Sequence, residues 1–171
     1  CKELIADLQK HNPIVVSGLA MGIDICAHKE ALKNGLETIA VLGTQLSTVT
    51  PASHIKYARE IIAHKGTVLS ECHSQTIYDN ALYVKRNRII AGMSDITIIV
   101  ESKTRGGALI TAEYANQYNR DVAAFPGNIY NTYSQGCNML IKQNKAHLIE
   151  SAQDVERILN WDIDAHTSTK T

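Results

Sequence analysis

Four short segments of the 171-residue chain hold residue types suited to gripping an anion or a nucleobase. The first, Ser17-Gly18-Leu19-Ala20-Met21-Gly22-Ile23-Asp24, reads as a strand-to-helix turn. Its glycines permit tight backbone geometry and leave amide N–H groups facing an anion, although the same turn also serves simply to start a helix. Ser17, Gly18, Ala20 and Gly22 are its candidate phosphate contacts. The spacing is not GxGxxG and there is no Lys-Ser/Thr ending, so neither a dinucleotide nor a nucleoside-triphosphate motif is satisfied. Asp24 and His28 lie four apart on one helical face. They read either as an ion pair or metal pair lacking a third ligand at motif spacing, or as a helix-start aspartate beside a packed histidine.

The second segment, Tyr83-Val84-Lys85-Arg86-Asn87-Arg88, sets three cations beside an aromatic and reads as a loop leading into Ile89-Ile90-Ala91-Gly92. Base stacking combined with phosphate contact needs that pairing, while a charge cluster can equally be a plain solvated face. The third, Glu101-Ser102-Lys103-Thr104-Arg105-Gly106-Gly107-Ala108-Leu109-Ile110-Thr111, brings paired glycines, hydroxyls and two cations to a helix N-terminus, which suits a phosphate. Against this, Gly106-Gly107 also allows a sharp turn and Thr111 can bond its own helix backbone. The fourth joins Phe125-Pro126-Gly127-Asn128 to Ser134-Gln135-Gly136-Cys137-Asn138, a strand exit rich in turn residues, with Ser134 as a further contact candidate. Between Lys85 and Arg105 five basic residues face two acidic ones, a local positive patch.

That patch stands out because the chain as a whole is neutral, with 17 Lys and Arg against 17 Asp and Glu, which excludes phosphate binding by a uniformly basic surface. Apolar residues make up 44% and charged residues 20%, the composition of an ordinary globular domain. Cys1, Cys26, Cys72 and Cys137 lie far apart without a CxxC pair, so the pattern is that of reduced thiols in the cytoplasm rather than a zinc module or a disulfide scaffold. No apolar run approaches the roughly 20 residues of a membrane span, and a signal-peptide order is lacking at the N-terminus. The expected location is cytoplasmic, with no membrane contact, no metal and no cofactor.

The elements that must position these segments alternate along the chain. Strands are expected at residues 14–16, 38–42, 67–69, 96–100, 122–125 and 147–149. Residues 96–100, the most continuous β-branched run, have the pattern of a parallel strand buried on both faces. Helices are expected from residue 4 to the Asn12-Pro13 stop, over 23–34 before Gly35, after a Ser53 cap, and over 108–119 and 136–144. A last one follows the polar-x-x-acid spacing of Ser151 and Asp154. Repeated β-α-β order implies a parallel sheet with helices on both faces, and such sheets place ligands at the carboxyl ends of the strands. The domain is expected to span residues 1–160, with 161–171 as a polar tail.

In this order and spacing the segments resemble the DNA-processing protein A family, DprA or Smf. The resemblance rests on Ser17-Gly18-Leu19-Ala20, Gly22-Ile23-Asp24 with Ala27-His28, Thr38 to Gly43, Ser70-Glu71, Arg86-Asn87-Arg88-Ile89-Ile90-Ala91-Gly92, Leu109-Ile110-Thr111-Ala112, Pro126-Gly127, and Ser134 with Gly136-Cys137-Asn138. It implies an extended Rossmann-like, three-layer α/β/α domain with a mostly parallel sheet. It also implies single-stranded DNA binding without strong sequence preference, a homodimer, assistance in loading the RecA recombinase during natural transformation, and no established enzymatic activity. Lys85, Arg86 and Arg88 would then contact phosphates and Tyr83 would stack. Two departures touch the loops: Tyr83-Val84 stands where the family commonly has Phe-Pro, and Gly106-Gly107-Ala108 where it often has Ser-Gly-Ser. The family's usual opening strand with its Gly-Ser/Thr-Arg turn is expected upstream of this chain. Two other readings remain: a nucleotide-phosphate-processing enzyme of Rossmann-like type using Glu113 of Thr111-Ala112-Glu113 as acid or base, and a purely interaction-based role.

Overall fold

The computed structural model describes residues 1–77 and 79–161, and residues 162–171 of the expected polar tail lie outside these. Trp161, counted with that tail, belongs to the fold: its ring centroid lies 4.8 Å from that of His11. Three strands, β1 (Val15–Ser17), β2 (Thr38–Leu42) and β3 (Thr67–Ser70), pair in parallel in the order β1-β2-β3, with Val15 opposite Thr38. Three more, β4 (Ile96–Ile99), β5 (Asp121–Ala124) and β6 (His147–Leu148), form a second parallel sheet in sequence order, with Ile99 opposite Ala124. The single sheet expected is thus divided, since no β1–β4 ladder occurs among the described residues.

Helices α1 (Lys2–Leu8), α2 (Ile23–Lys33), α3 (Ile55–Ala63), α4 (Ala81–Met93), α5 (Gly107–Gln117), α6 (Gln135–Lys142) and α7 (Ala152–Ile158) cover the sheets. Alternate side chains of a strand face opposite ways, and β5 shows both layers. Val122 and Ala124 pack with Ala91 of α4, Ala112 and Ala115 of α5, and Cys137 and Leu140 of α6, whereas Ala123 packs with Leu4 and Leu8 of α1 and Val155 of α7. In the first half, Ala40 and Leu42 of β2 pack on Ala58 and Ile61 of α3. The result is the expected Rossmann-like three-layer arrangement. Helix α1 joins its halves: Leu4 and Leu8 pack against the second sheet while Ile5 packs on Ala27 and Ala31 of α2.

Local chemistry places most boundaries where the sequence suggests. Gly35, at φ 71, ends α2. Asp154 accepts the Ser151 amide at 3.1 Å and the Glu150 amide at 2.9 Å, which starts α7 and holds its carboxyl below the usual range. Ser53 is not a cap, because it lies inside a 3-10 turn over Ala52–His54 that runs directly into α3. The larger revision concerns residues 83–88, which are helical. Helix α4 starts where the Asp79 carboxylate accepts the Ala81 amide at 2.9 Å. Its inward stripe carries Arg86 in place of an apolar residue, so the helical period is interrupted in the sequence although the helix is not.

Candidate nucleic-acid interface

On a helix, neighbouring positions point about 100° apart, so α4 sends its polar residues three ways. Lys85 and Arg88, one turn apart, share one side, their side chains 60% and 40% exposed. Both face Glu71 at the exit of β3, Arg88 through a hydrogen-bonded ion pair and Lys85 at 3.8 Å. Asn87 points the other way, its amide donating to the Gly107 carbonyl at 3.4 Å and tying α4 to the start of α5.

Arg86 points inward and is only 5% exposed. Its guanidinium donates to the Gly18 carbonyl at 2.7 Å and to the Val41 carbonyl, and its Nε donates to Asn87 at 3.2 Å. Burial pulls its pKa below the ordinary value while the nearby Asp24 carboxylate opposes that. Arg86 is therefore withdrawn from the expected phosphate contacts; it locks α4 onto the carboxyl ends of β1 and β2. Gly18 fits this role because a Cβ there would collide with the Arg86 guanidinium.

The same cluster explains the first turn. The amides of Gly18 and Ala20 donate to the Asp24 carboxylate at 3.1 and 3.3 Å, so the chain's own anion occupies the cradle that sequence reading offers to a phosphate. Gly22, at φ 91, is exposed and caps α2, and Ser17 ends β1. His28 is fully buried and hydrogen-bonds through Nδ1 to Thr38 Oγ1 at 2.7 Å, and the Thr38 hydroxyl in turn donates to the Val15 carbonyl at 2.6 Å. Since that hydroxyl gives its proton to Val15, His28 Nδ1 carries the donated hydrogen, and burial lowers its pKa to about 4. Asp24 and His28 each tie segments of the first half together, Asp24 through the Gly18 and Ala20 amides and His28 through Thr38.

The remaining candidates gather at the carboxyl ends of β4 and β5. Lys103 and Arg105 are exposed, and Gly106 and Gly107 open α5. The Ser102 amide donates to the Tyr133 carbonyl at 2.7 Å, and the Gly136 amide donates to the Ser102 carbonyl at 2.8 Å, so the two loops are stitched edge to edge. A Cβ on Gly136 would lie 2.6 Å from the carbonyls of Lys103 and Ser102, which is why only glycine allows the approach. Asn138 clamps Gly127 from both sides, accepting its amide at 3.1 Å and donating to its carbonyl at 2.8 Å. Ser134, half-buried against Gly127, precedes α6. Thr111 is 9% exposed within α5, which removes it from the surface contacts.

Two further side chains depart from their expected settings. Tyr83 is half-buried, with its hydroxyl buried and its ring against Gly43, so it does not present a free face like that of a surface aromatic. Glu113, half-exposed on α5, pairs with Lys145 at 3.2 Å, and it stands about 9 Å along the helix from Gly107. Among the exposed aromatics that sequence reading misses are Tyr130 and Tyr133, 87% and 52% exposed, in the loop before α6. Lys103 Nζ lies 5.0 Å from the Tyr133 ring centroid. Their only signal in the sequence is proximity to Ser134. Two open recesses of about 360 and 380 Å³ lie elsewhere, the first beside Asp95 and Asp121 and the second beside Glu37 and Lys65, at the amino ends of the strands.

Comparison with known proteins identifies the family and the fold. Residues 1–160 match the model of the family described as DNA recombination-mediator protein A. The DNA processing protein DprA of Streptococcus pneumoniae is 44% identical over 142 residues, which are 83% of this chain and 50% of that protein. The chain thus spans about half the length of the curated relatives it matches. The solved DprA structure from S. pneumoniae superimposes with a TM-score of 0.82 at 40% identity, over 91% of this chain and 54% of that one. A Helicobacter pylori DNA processing protein A, studied for its single-stranded DNA binding mode, gives 0.81 at 28% identity, over 94% of this chain and 72% of that one. With the family matched along almost the whole chain and a relative at 44% identity, the chain belongs to the DNA recombination-mediator protein A family.

Proposed function

We propose that this domain binds single-stranded DNA along the carboxyl ends of its strands, with Lys85, Arg88, Lys103 and Arg105 as the phosphate-facing cations. The observation that carries this reading is that all four are exposed or nearly so in a neutral protein and stand beside strand exits, Lys85 and Arg88 facing Glu71 after β3 and Lys103 and Arg105 following β4, with Asn87 and Gly107 joining α4 to α5 between them. Membership of the family supports it, as does the likeness to the H. pylori protein, whose structure concerns single-stranded DNA binding. The domain acts here as a binding module and not as an enzyme. Glu113, which a nucleotide-processing site would use, is engaged with Lys145 away from Gly106 and Gly107. Dimerisation and delivery of strands to the RecA recombinase enter this reading from the family resemblance alone.

Salt dependence tests it. If four phosphates are neutralised, log affinity for a labelled oligothymidine falls with log salt at a slope of about −3, because each contact on a single strand contributes about 0.7. Fluorescence anisotropy at several salt concentrations reads the slope, with equal-length duplex as competitor. A flat response, or ready displacement by duplex, overturns the proposal.

A further inference from the structure

We propose that Tyr133 and Tyr130 form a base-stacking shelf at the far end of this rim, with Lys103 and Arg105 contacting the adjoining phosphates; this rests on the single-strand reading above. A tyrosine that serves only the fold buries its ring, as Tyr83 partly does against Gly43. Tyr130 and Tyr133 instead expose 87% and 52% of their surface, and Ile129 beside them exposes 67%. They sit on a rigid base. The Tyr130 and Tyr133 amides donate to the Asn128 and Asn131 side chains, both at 2.9 Å, and the Tyr133 carbonyl is fastened to the Ser102 amide at 2.7 Å. A preorganised aromatic loses little freedom when a base settles on it.

Charge identifies the occupant. Lys103 Nζ stands 5.0 Å from the Tyr133 ring centroid, and Arg105, two residues on, is exposed and makes no ion pair among the described residues. An exposed aromatic paired with cations fits a ligand that alternates flat π-faces with negative charge, which is the chemistry of a single-stranded nucleic acid. A protein partner that recognised only the apolar side chains would gain nothing from these cations. The other cation–aromatic grouping among the described residues, Lys29 and Lys56 about Tyr57, packs its ring against the buried cluster of α3 and leaves no such shelf.

The test compares two labelled strands of equal length, oligothymidine and an abasic deoxyribose-phosphate polymer, against the full chain. Tyr133→Leu is expected to weaken oligothymidine binding about fivefold or more, with the Tyr130,Tyr133 double leucine variant weaker still. Tyr133→Phe keeps the affinity, the salt slope stays unchanged because no cation is lost, and abasic binding is the same for all. Tyr118→Leu, at the far end of α5, serves as an unaffected control. Irradiating the wild-type protein on a bromodeoxyuridine strand and mapping the adduct by mass spectrometry gives a reading that needs no variant. Adducts at Tyr133 or Tyr130 support the shelf. Equal affinity of the leucine variants for oligothymidine, equal losses on both strands, or adducts confined to Tyr83 overturn it while leaving single-strand binding in place. A wild-type protein that binds neither strand overturns both.

Discussion

Arg86 and Arg88 are two positions apart and carry the same side chain, yet they serve different ends. Arg88 is 40% exposed and paired with a surface carboxylate, a contact that contributes little to stability. Arg86 is buried among carbonyl acceptors that water does not reach. Its removal leaves the Gly18 and Val41 carbonyls unsatisfied and the Asp24 carboxylate without its neighbouring cation. Arg86→Ala is therefore expected to cost about 3 kcal/mol in urea unfolding, and Arg88→Ala less than about 1 kcal/mol. In DNA titrations the order reverses in kind: Arg88→Ala lowers the salt slope by about 0.7. An Arg86→Ala protein as stable as wild type, with only DNA binding lost, would return Arg86 to the phosphate contacts.

At the scale of elements, the exit of β3 and the outer side of α4 form a balanced pair, because Glu71 faces both Lys85 and Arg88. A phosphate approaching these cations competes with a carboxylate already in place. Glu71→Gln keeps the shape and removes the charge. Oligothymidine affinity should rise several-fold at low salt and the gain should shrink as salt screens the site. Unfolding stability should move by less than about 1 kcal/mol. Unchanged or weaker binding would mean that Glu71 positions Arg88 for DNA rather than competing with it. The loops after β4 and β5 follow another principle: they are joined by main-chain bonds through Ser102, Tyr133 and Gly136, which hold their geometry independently of charge.

Across the whole molecule, α1 and α4 each reach both halves, so disturbance at the first turn spreads to global stability. His28 lies at that turn, and its stability effect has a definite sign. Burial lowers its pKa from 6.5 to about 4, so below pH 6.5 the unfolded chain takes up a proton that the folded chain does not. Stability present above pH 6.5 is lost progressively as pH falls toward about 4, and the loss levels off below that. The gap corresponds to about 3 kcal/mol at most. Urea midpoints at pH 7.5 and pH 4.5 should differ less in His28→Gln than in wild type. Equal pH dependence in the two proteins would show that His28 titrates normally.

Residue types and periods along the chain were enough to determine the six strands, every helix except α4, the cap at Ser151 and Asp154, and the glycine stop at Gly35, because each depends on neighbours within a turn or a strand. The order of glycine turns and basic residues also singled out the strand ends from which the DNA-binding rim is proposed. Tertiary structure decided which of the marked side chains are available. Asp24 fills the first turn, Arg86 is drawn beneath it, Thr111 is buried in its helix, and Tyr133 is presented beside Lys103. These outcomes depend on contacts between residues up to 68 positions apart, as from Arg86 to Gly18. A local period cannot encode whether a charge faces water or a carbonyl, because burial is settled only when separate elements close on one another.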